Sequence, residues 1–266
     1  MKRRMKQARN TLCGLLAAAS LMLPAHGART VPVQVDGQLL PGTSHLEEGV
    51  TYVPLRHLLD AFGGWEVEWN SAAATAEASN ERHRLTANPA ADTVTVDGTE
   101  YAGTVYVANG RTYVPLRLVT NLLGGSAVWD AYLGGAAVTS ADADYDATEL
   151  YWLSRIISAE SRGESMTGQI AVGNVVLNRV ESEEFPDTIP GVIFDRMDAV
   201  QFEPVENGTV YNAPAESSVE AAMRVLDGEI AVEDAMYFYA PALSQGVWIN
   251  QNRTYSTTIG CHRFYL

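Results

Sequence analysis

The chain has 266 residues, with 32 Asp and Glu against 18 Lys and Arg, a formal charge of −14 and two cysteines, Cys13 and Cys261. Such an acidic balance argues against nucleic acid or an anionic membrane surface as a partner, since both repel it. Two cysteines also exclude a disulfide-stapled scaffold; the chain must be held by hydrophobic cores, and its length suffices for two ordinary domains.

Residues 1–27 read as a secretory signal peptide. Lys2, Arg3, Arg4, Lys6 and Arg9 form a basic start, residues 11–23 are apolar, and Ala25 and Gly27 are the small residues of a cleavage site before Ala28. An uncleaved N-terminal anchor is the alternative, although the apolar run is too short to span a bilayer. Cys13 lacks the small residues directly before it that lipid attachment needs, and no later segment reaches transmembrane length. Cleavage removes five basic residues, taking the charge to −19 and leaving Cys261 as the one cysteine.

Residues 28–141 carry an internal repeat. "VDG" at 35–37 returns at 96–98 and "TYVPLR" at 51–56 returns at 112–117, both at an offset of 61. Each hexapeptide is followed by a short helical pattern (57–62 and 118–123), a Gly-Gly pair and a Trp-containing strand. Pro54 and Pro115 stand where a β-rich tripeptide gives way to a helix, and there a missing N–H is tolerated. The expectation is a tandem α+β repeat. These units resemble the copper amine oxidase N-terminal-like domain, found as paired stalk modules in secreted bacterial proteins. That resemblance implies a stalk or wall-associated role. His45, His57 and His83 are too scattered to form a metal site, so no metal is expected.

The run "SADADYDATEL" at 140–150 marks a boundary, with Asp146 or Thr148 as the cap of the helix that follows. Residues 142–266 read as mainly helical, with a small β element near the end. Helices are expected over about 149–161, from Ser165 or Thr167 to about Val180, near 189–195, and over 214–227. Gly163 and Gly228 follow the first and last of these. Aromatic, β-prone segments come at 235–241, 246–251 and 257–266.

Within the first of these helices Glu160 falls in the stripe formed by Leu153, Ile156 and Ile157. Burial and the negative end of the helix dipole both disfavour an ionised carboxylate there. Two readings remain open on spacing: a general acid kept protonated near neutral pH, or an ion pair with Arg155 or Arg162.

The string "SRIISAESRGESMTGQIAVGNVVLNRVES", with "FPDTIPGVIF", "QFEPVENG", "MYFYAP" and "IGCHRFY" after it, resembles the spore cortex-lytic and cell-wall hydrolase family of the SleB type. The resemblance covers about 148–266. It implies a lysozyme-like, mainly helical fold acting on peptidoglycan glycan strands of spore cortex or vegetative wall, with no cofactor and with Glu160 as the catalytic acid. Glycosidases ordinarily use two carboxylates, but Glu164 lies only four residues on. An ion pair with Arg162 or Arg179, or a loop brace, is the expectation for it. Asp198 and Glu203 flank the "QF" segment without a pattern that selects either. A lytic transglycosylase needs no second carboxylate and is the leading reading. A hydrolytic muramidase using Glu164, Asp198 or Glu203, and a non-catalytic wall-binding protein, are the alternatives. Gln169 and Asn178 share a helix face and could bind sugar N-acetyl groups or brace the Glu160 loop. Gln201, Phe202, Tyr237, Tyr239 and Trp248 could line a sugar groove, and Cys261 and His262, adjacent on a strand, point to opposite faces and cannot form a dyad.

Overall fold

The computed structural model describes residues 28–197 and 200–266. The signal-peptide reading and Asp198 therefore lie outside the described residues. Among those described, no helix is long and apolar enough to cross a membrane.

The first half is β-rich. The repeated "VDG" builds two hairpin turns in which both Asp-Gly residues take positive φ, at 48° and 83° for Asp36-Gly37 and at 51° and 82° for Asp97-Gly98. That is the backbone of a two-residue turn matching strand twist. Each "TYVPLR" ends a strand, Val50–Pro54 or Arg111–Pro115, and opens a helix, α1 (Leu55–Phe62) or α2 (Leu116–Leu122), with the proline as N-cap.

The two copies do not stand as separate beads. The hexapeptide strands pair antiparallel in the middle of one five-stranded sheet, with Val53 opposite Val114. Val33–Val35, from the first copy, pairs parallel with Gly135–Thr139, from the second. Leu55, Leu58, Leu116 and Val119 meet in a single core with Leu85 and Val94. A second five-stranded sheet, from Glu66–Asn70 to Thr99–Ala102, covers that core.

The second half is helical: α3 (Ala147–Ser161), α4 (Met166–Glu181), α5 (Ile189–Ile193), α6 (Glu203–Asn207), α7 (Glu216–Leu226) and α8 (Val247–Asn252). Asp146 caps α3 by accepting from Thr148 and Glu149 N–H at 2.9 and 3.1 Å, and Ser165 caps α4. The end of α3 is not closed by a left-handed glycine. Gly163 keeps negative φ, and a tight turn runs from Glu164 N–H to Ser161 C=O at 2.8 Å. The apolar stripe expected on α3 is also corrected. Leu150, Tyr151, Trp152, Leu153, Ser154, Arg155, Ile156, Ile157 and Ser158 are all buried, so the helix is covered on every face by α4, α5 and α7. The segment expected as a strand at 246–251 is instead α8, entered through Gly246 at φ 57°. The small sheet is Tyr237–Tyr239, His262–Tyr265 and Tyr255–Ile259, with His262–Tyr265 central.

The halves meet at the N-terminal end of α3. In the first copy Asn70 closes a turn by accepting from Ala72 and Ala73 N–H. In the second, Asp130 does the same with Tyr132 and Leu133, and its other oxygen accepts the indole N–H of buried Trp152 at 2.7 Å. Tyr132 stacks on Phe194 with centroids 4.5 Å apart, and Leu133 packs against the helical core.

Candidate active site

A cavity of about 1170 Å³ opens where the end of α3, α6 and the small sheet converge. Glu160 lies in its wall, half-buried in the last turn of α3. The ion pair considered for it is absent. Arg155 folds back over the Tyr151 ring at 3.4 Å and donates to Tyr151 C=O, and among the described residues neither Arg155 nor Arg162 pairs with a carboxylate. Desolvation, and then the charge of Glu203 across the cavity, push the Glu160 carboxyl up to about 7, while Arg179 pulls against them. At neutral pH such a group holds a proton about half the time, as a general acid that must later act as base requires.

Arg179, on α4, is the counterpart. It is buried, and its Nε donates to Met236 C=O at 2.8 Å. Its guanidinium sits 4.9, 5.2 and 5.4 Å from the rings of Phe185, Phe202 and Tyr237, and Nη1 has no hydrogen-bond partner. Burial lowers its pKa to about 10, which leaves it charged at neutral pH. His262 also lines the cavity, edge-on to Phe238, and burial lowers its pKa.

The residues singled out from the sequence divide into two groups. Gln201, Phe202, Tyr239 and Trp248 line the cavity with Glu160, as does Tyr237. Glu164, Gln169 and Asn178 do not. Glu164 accepts from Cys261 N–H at 3.0 Å, a bond that lowers its pKa. A Cβ on Gly260 would stand 1.8 Å from Glu164 Oε2, so the clasp requires that glycine. Gln169 is buried, donating to Glu164 C=O and accepting from Ser218, and Asn178 donates to Ala235 C=O at 2.9 Å. These three brace the walls; both amide atoms of buried Gln169 are taken up in that bracing, while Asn178 is half-buried with its amide N–H committed to Ala235. Cys261 is not on the strand as expected but in the turn that precedes His262–Tyr265; it is exposed, whereas His262 is buried. Sequence reasoning did not place Glu203 opposite Glu160, because their meeting depends on how α6 returns over α3. Arg179 carried a usable signal: like Glu160 it is a charge inside an apolar helix. Among the described residues no group of three His, Cys, Asp or Glu side chains is placed to hold a metal ion.

Residues 163–265 match the Cell Wall Hydrolase family, and residues 34–137 match the Copper amine oxidase N-terminal domain. The second half of the chain is a cell wall hydrolase domain. The span matched begins just after Glu160. Similar proteins include a spore cortex-lytic enzyme of Halalkalibacterium halodurans, 33% identical over 126 residues, which are 47% of this chain and 37% of that protein. Another, from Bacillus subtilis (strain 168), is 35% identical over 112 residues, 42% of this chain and 35% of that protein. The chain thus spans well under half the length of these two relatives. Among solved structures, the catalytic domain of the germination-specific lytic transglycosylase SleB from Bacillus anthracis is 33% identical, with a TM-score of 0.42 over 46% of this chain and 98% of that one.

Proposed function

We propose that the cell wall hydrolase domain cleaves peptidoglycan glycan strands as a lytic transglycosylase, with Glu160 as its single acid and base. The observation that carries this reading is a carboxyl raised to about 7, free of any ion pair, in the wall of an aromatic-lined cavity. Protonated Glu160 gives its proton to the oxygen leaving MurNAc C1 as the C1–O bond breaks. The resulting carboxylate takes the proton of the MurNAc C6 hydroxyl as O6 bonds to C1. The product is a 1,6-anhydro end, no water is consumed, and Glu160 is protonated again. Arg179 keeps the carboxylate form accessible by opposing the pull of desolvation and of Glu203. Tyr237, Tyr239 and Trp248 offer ring faces for sugars and Gln201 a polar edge, while Phe202, 2% exposed, backs the wall from the core.

In the same reading, residues 1–27 are removed on export, 28–141 form a wall-associated stalk built from a duplicated unit, and 142–266 are the lysozyme-like catalytic domain, acting outside the cytoplasm on cortex or vegetative wall. A hydrolytic muramidase is the second reading. Its specific support is Glu203, whose charge reaches Glu160 across the cavity and which could position a water on the opposite sugar face. Digestion of purified peptidoglycan tests the proposal. The full chain should release soluble fragments, and a folded Glu160→Gln variant should release almost none. Normal release by that variant would overturn the assignment.

A further inference from the structure

Behind the wall of the cavity is a second hollow of about 470 Å³, lined by Asn250, Arg253, Tyr255, Thr258, Arg263 and Tyr265. Alternation along His262–Tyr265 builds it. His262 and Phe264 turn toward the cavity and the core, so Arg263 and Tyr265 turn to the other face, beside Tyr255 and Thr258 of the neighbouring strand.

Both charged side chains of the hollow are guanidinium groups, and no carboxylate lines it, in a chain with 32 acids and 18 bases. Among the described residues neither arginine has a carboxylate partner. The neutral groups around them are already fixed. Tyr265 OH donates to Asn250 Oδ1 at 2.6 Å, and the Tyr255 and Thr258 hydroxyls are 2.9 Å apart. Arg253 joins this hollow to the cavity. Its guanidinium lies 4.2 Å from the Tyr237 ring and 5.4 Å from that of Trp248, Nη2 donates to Tyr237 OH at 2.5 Å, and Nε is buried without a partner.

We propose that this hollow is a binding site for a carboxylate borne on a side branch of the strand that occupies the cavity, namely a free carboxylate of the peptide stem attached to MurNAc. The inference rests on the peptidoglycan reading above. Forked guanidinium donors suit a planar oxyanion, and two of them without a countercharge form a site that is electrostatically incomplete until an anion arrives. A phosphate-bearing wall polymer offers related chemistry, and the test separates the two.

Isothermal titration of the full chain with a GlcNAc–MurNAc fragment carrying a tripeptide stem, and with the same fragment after its stem carboxylates have been amidated, reads the site without requiring cleavage. The fragment with free carboxylates should bind about tenfold more tightly, the scale of one charge-assisted contact at an open site. Arg263→Gln, at a position outside the cavity lining, should abolish the difference, and Arg263→Lys should keep part of it. Equal affinities, no binding of either fragment, or a difference that survives Arg263→Gln would overturn the proposal. So would stronger competition by glycerol phosphate than by D-glutamate, which would assign the hollow to a phosphate polymer. Failure of the catalytic reading shows separately, as absence of fragment release from intact peptidoglycan.

Discussion

Asp130 and Glu160 are both carboxylates withdrawn from water, one at the seam between the halves and one at the far end of α3, and the chain treats them in opposite ways. Asp130 is 5% exposed and receives three donors: the Tyr132 and Leu133 amides and the Trp152 indole. Glu160 has no hydrogen bond or ion pair among the described residues and feels a second carboxylate, Glu203, across a cavity. A carboxylate whose oxygens are committed to three donors is a structural anchor. One without such donors, raised by burial, is available for chemistry. The contrast extends outward: the turn at Asp130 is the turn at Asn70 with a carboxylate in place of an amide, whereas the cavity collects partly unpaired Arg179, Arg253 and His262.

The sharpest way to break the contrast is to remove ionisation from the two carboxylates of the cavity in turn. Glu160→Gln should lower peptidoglycan cleavage by about 10²–10⁴-fold, toward the upper end for a group serving as both acid and base. Glu203→Gln should cost less than about tenfold. Dye release from labelled wall measures both, and a larger loss at Glu203 would favour the hydrolytic reading.

Next in size is the anchor. Trp152→Phe deletes the indole donor and leaves a buried carboxylate oxygen unsatisfied, so urea unfolding should show a loss of about 3 kcal/mol. A fragment of residues 142–266 loses Asp130 altogether. It should fold and cut soluble glycan fragments, yet unfold at lower urea than the same half in the full chain. An unchanged midpoint would show that the seam carries no energy.

The pH dependence of stability sharpens the contrast further. The folded pKa of Glu160 lies above its unfolded value, so the folded state holds a proton that the unfolded state has released, and stability falls as pH rises from about 4.5 to about 7. The shift converts to about 3 kcal/mol at most, and about 2 kcal/mol is expected for a half-open site. Glu160→Gln should therefore gain on the wild type between pH 4 and pH 8, as read from paired urea titrations. A difference independent of pH would place the carboxyl in water.

Glu164→Gln should be the mildest change. The Cys261 amide donates to a largely solvated carboxylate, so about 1 kcal/mol is expected, with cleavage within about tenfold of wild type. The lowered pKa of Glu164 means that its contribution is present above its unfolded pKa and fades as the group protonates at acid pH.

What could be read in advance follows from how local each determinant is. The Asp-Gly turns, the Pro54 and Pro115 helix starts, and the Asp146 and Ser165 caps are set by one to four residues, and the sequence displays them. The stripe on α3 was misread because periodicity marks one apolar face, while Ser154, Arg155 and Ser158 are buried by neighbours far along the chain. The same limit hid the shared core of the two copies, which depends on pairing between strands some 60 or 100 residues apart. At 246–251 the aromatic and β-branched residues suggested a strand, but Gly246 and the packing of buried Ile249 turn the segment into α8. Glu160 was visible as a misplaced charge. Its opposition to Glu203 was not, since α6 is only five residues long and carries no periodic signal.

The central claim is that one carboxyl suffices because the substrate carries its own nucleophile, and the products report on it directly. Muropeptides released by the full chain should be weighed by mass spectrometry before and after borohydride treatment. The account predicts muramic ends one water lighter than reducing ends and inert to borohydride. Reducible ends at full mass would contradict it, and would mean that water, held by Glu203 or another group, attacks C1.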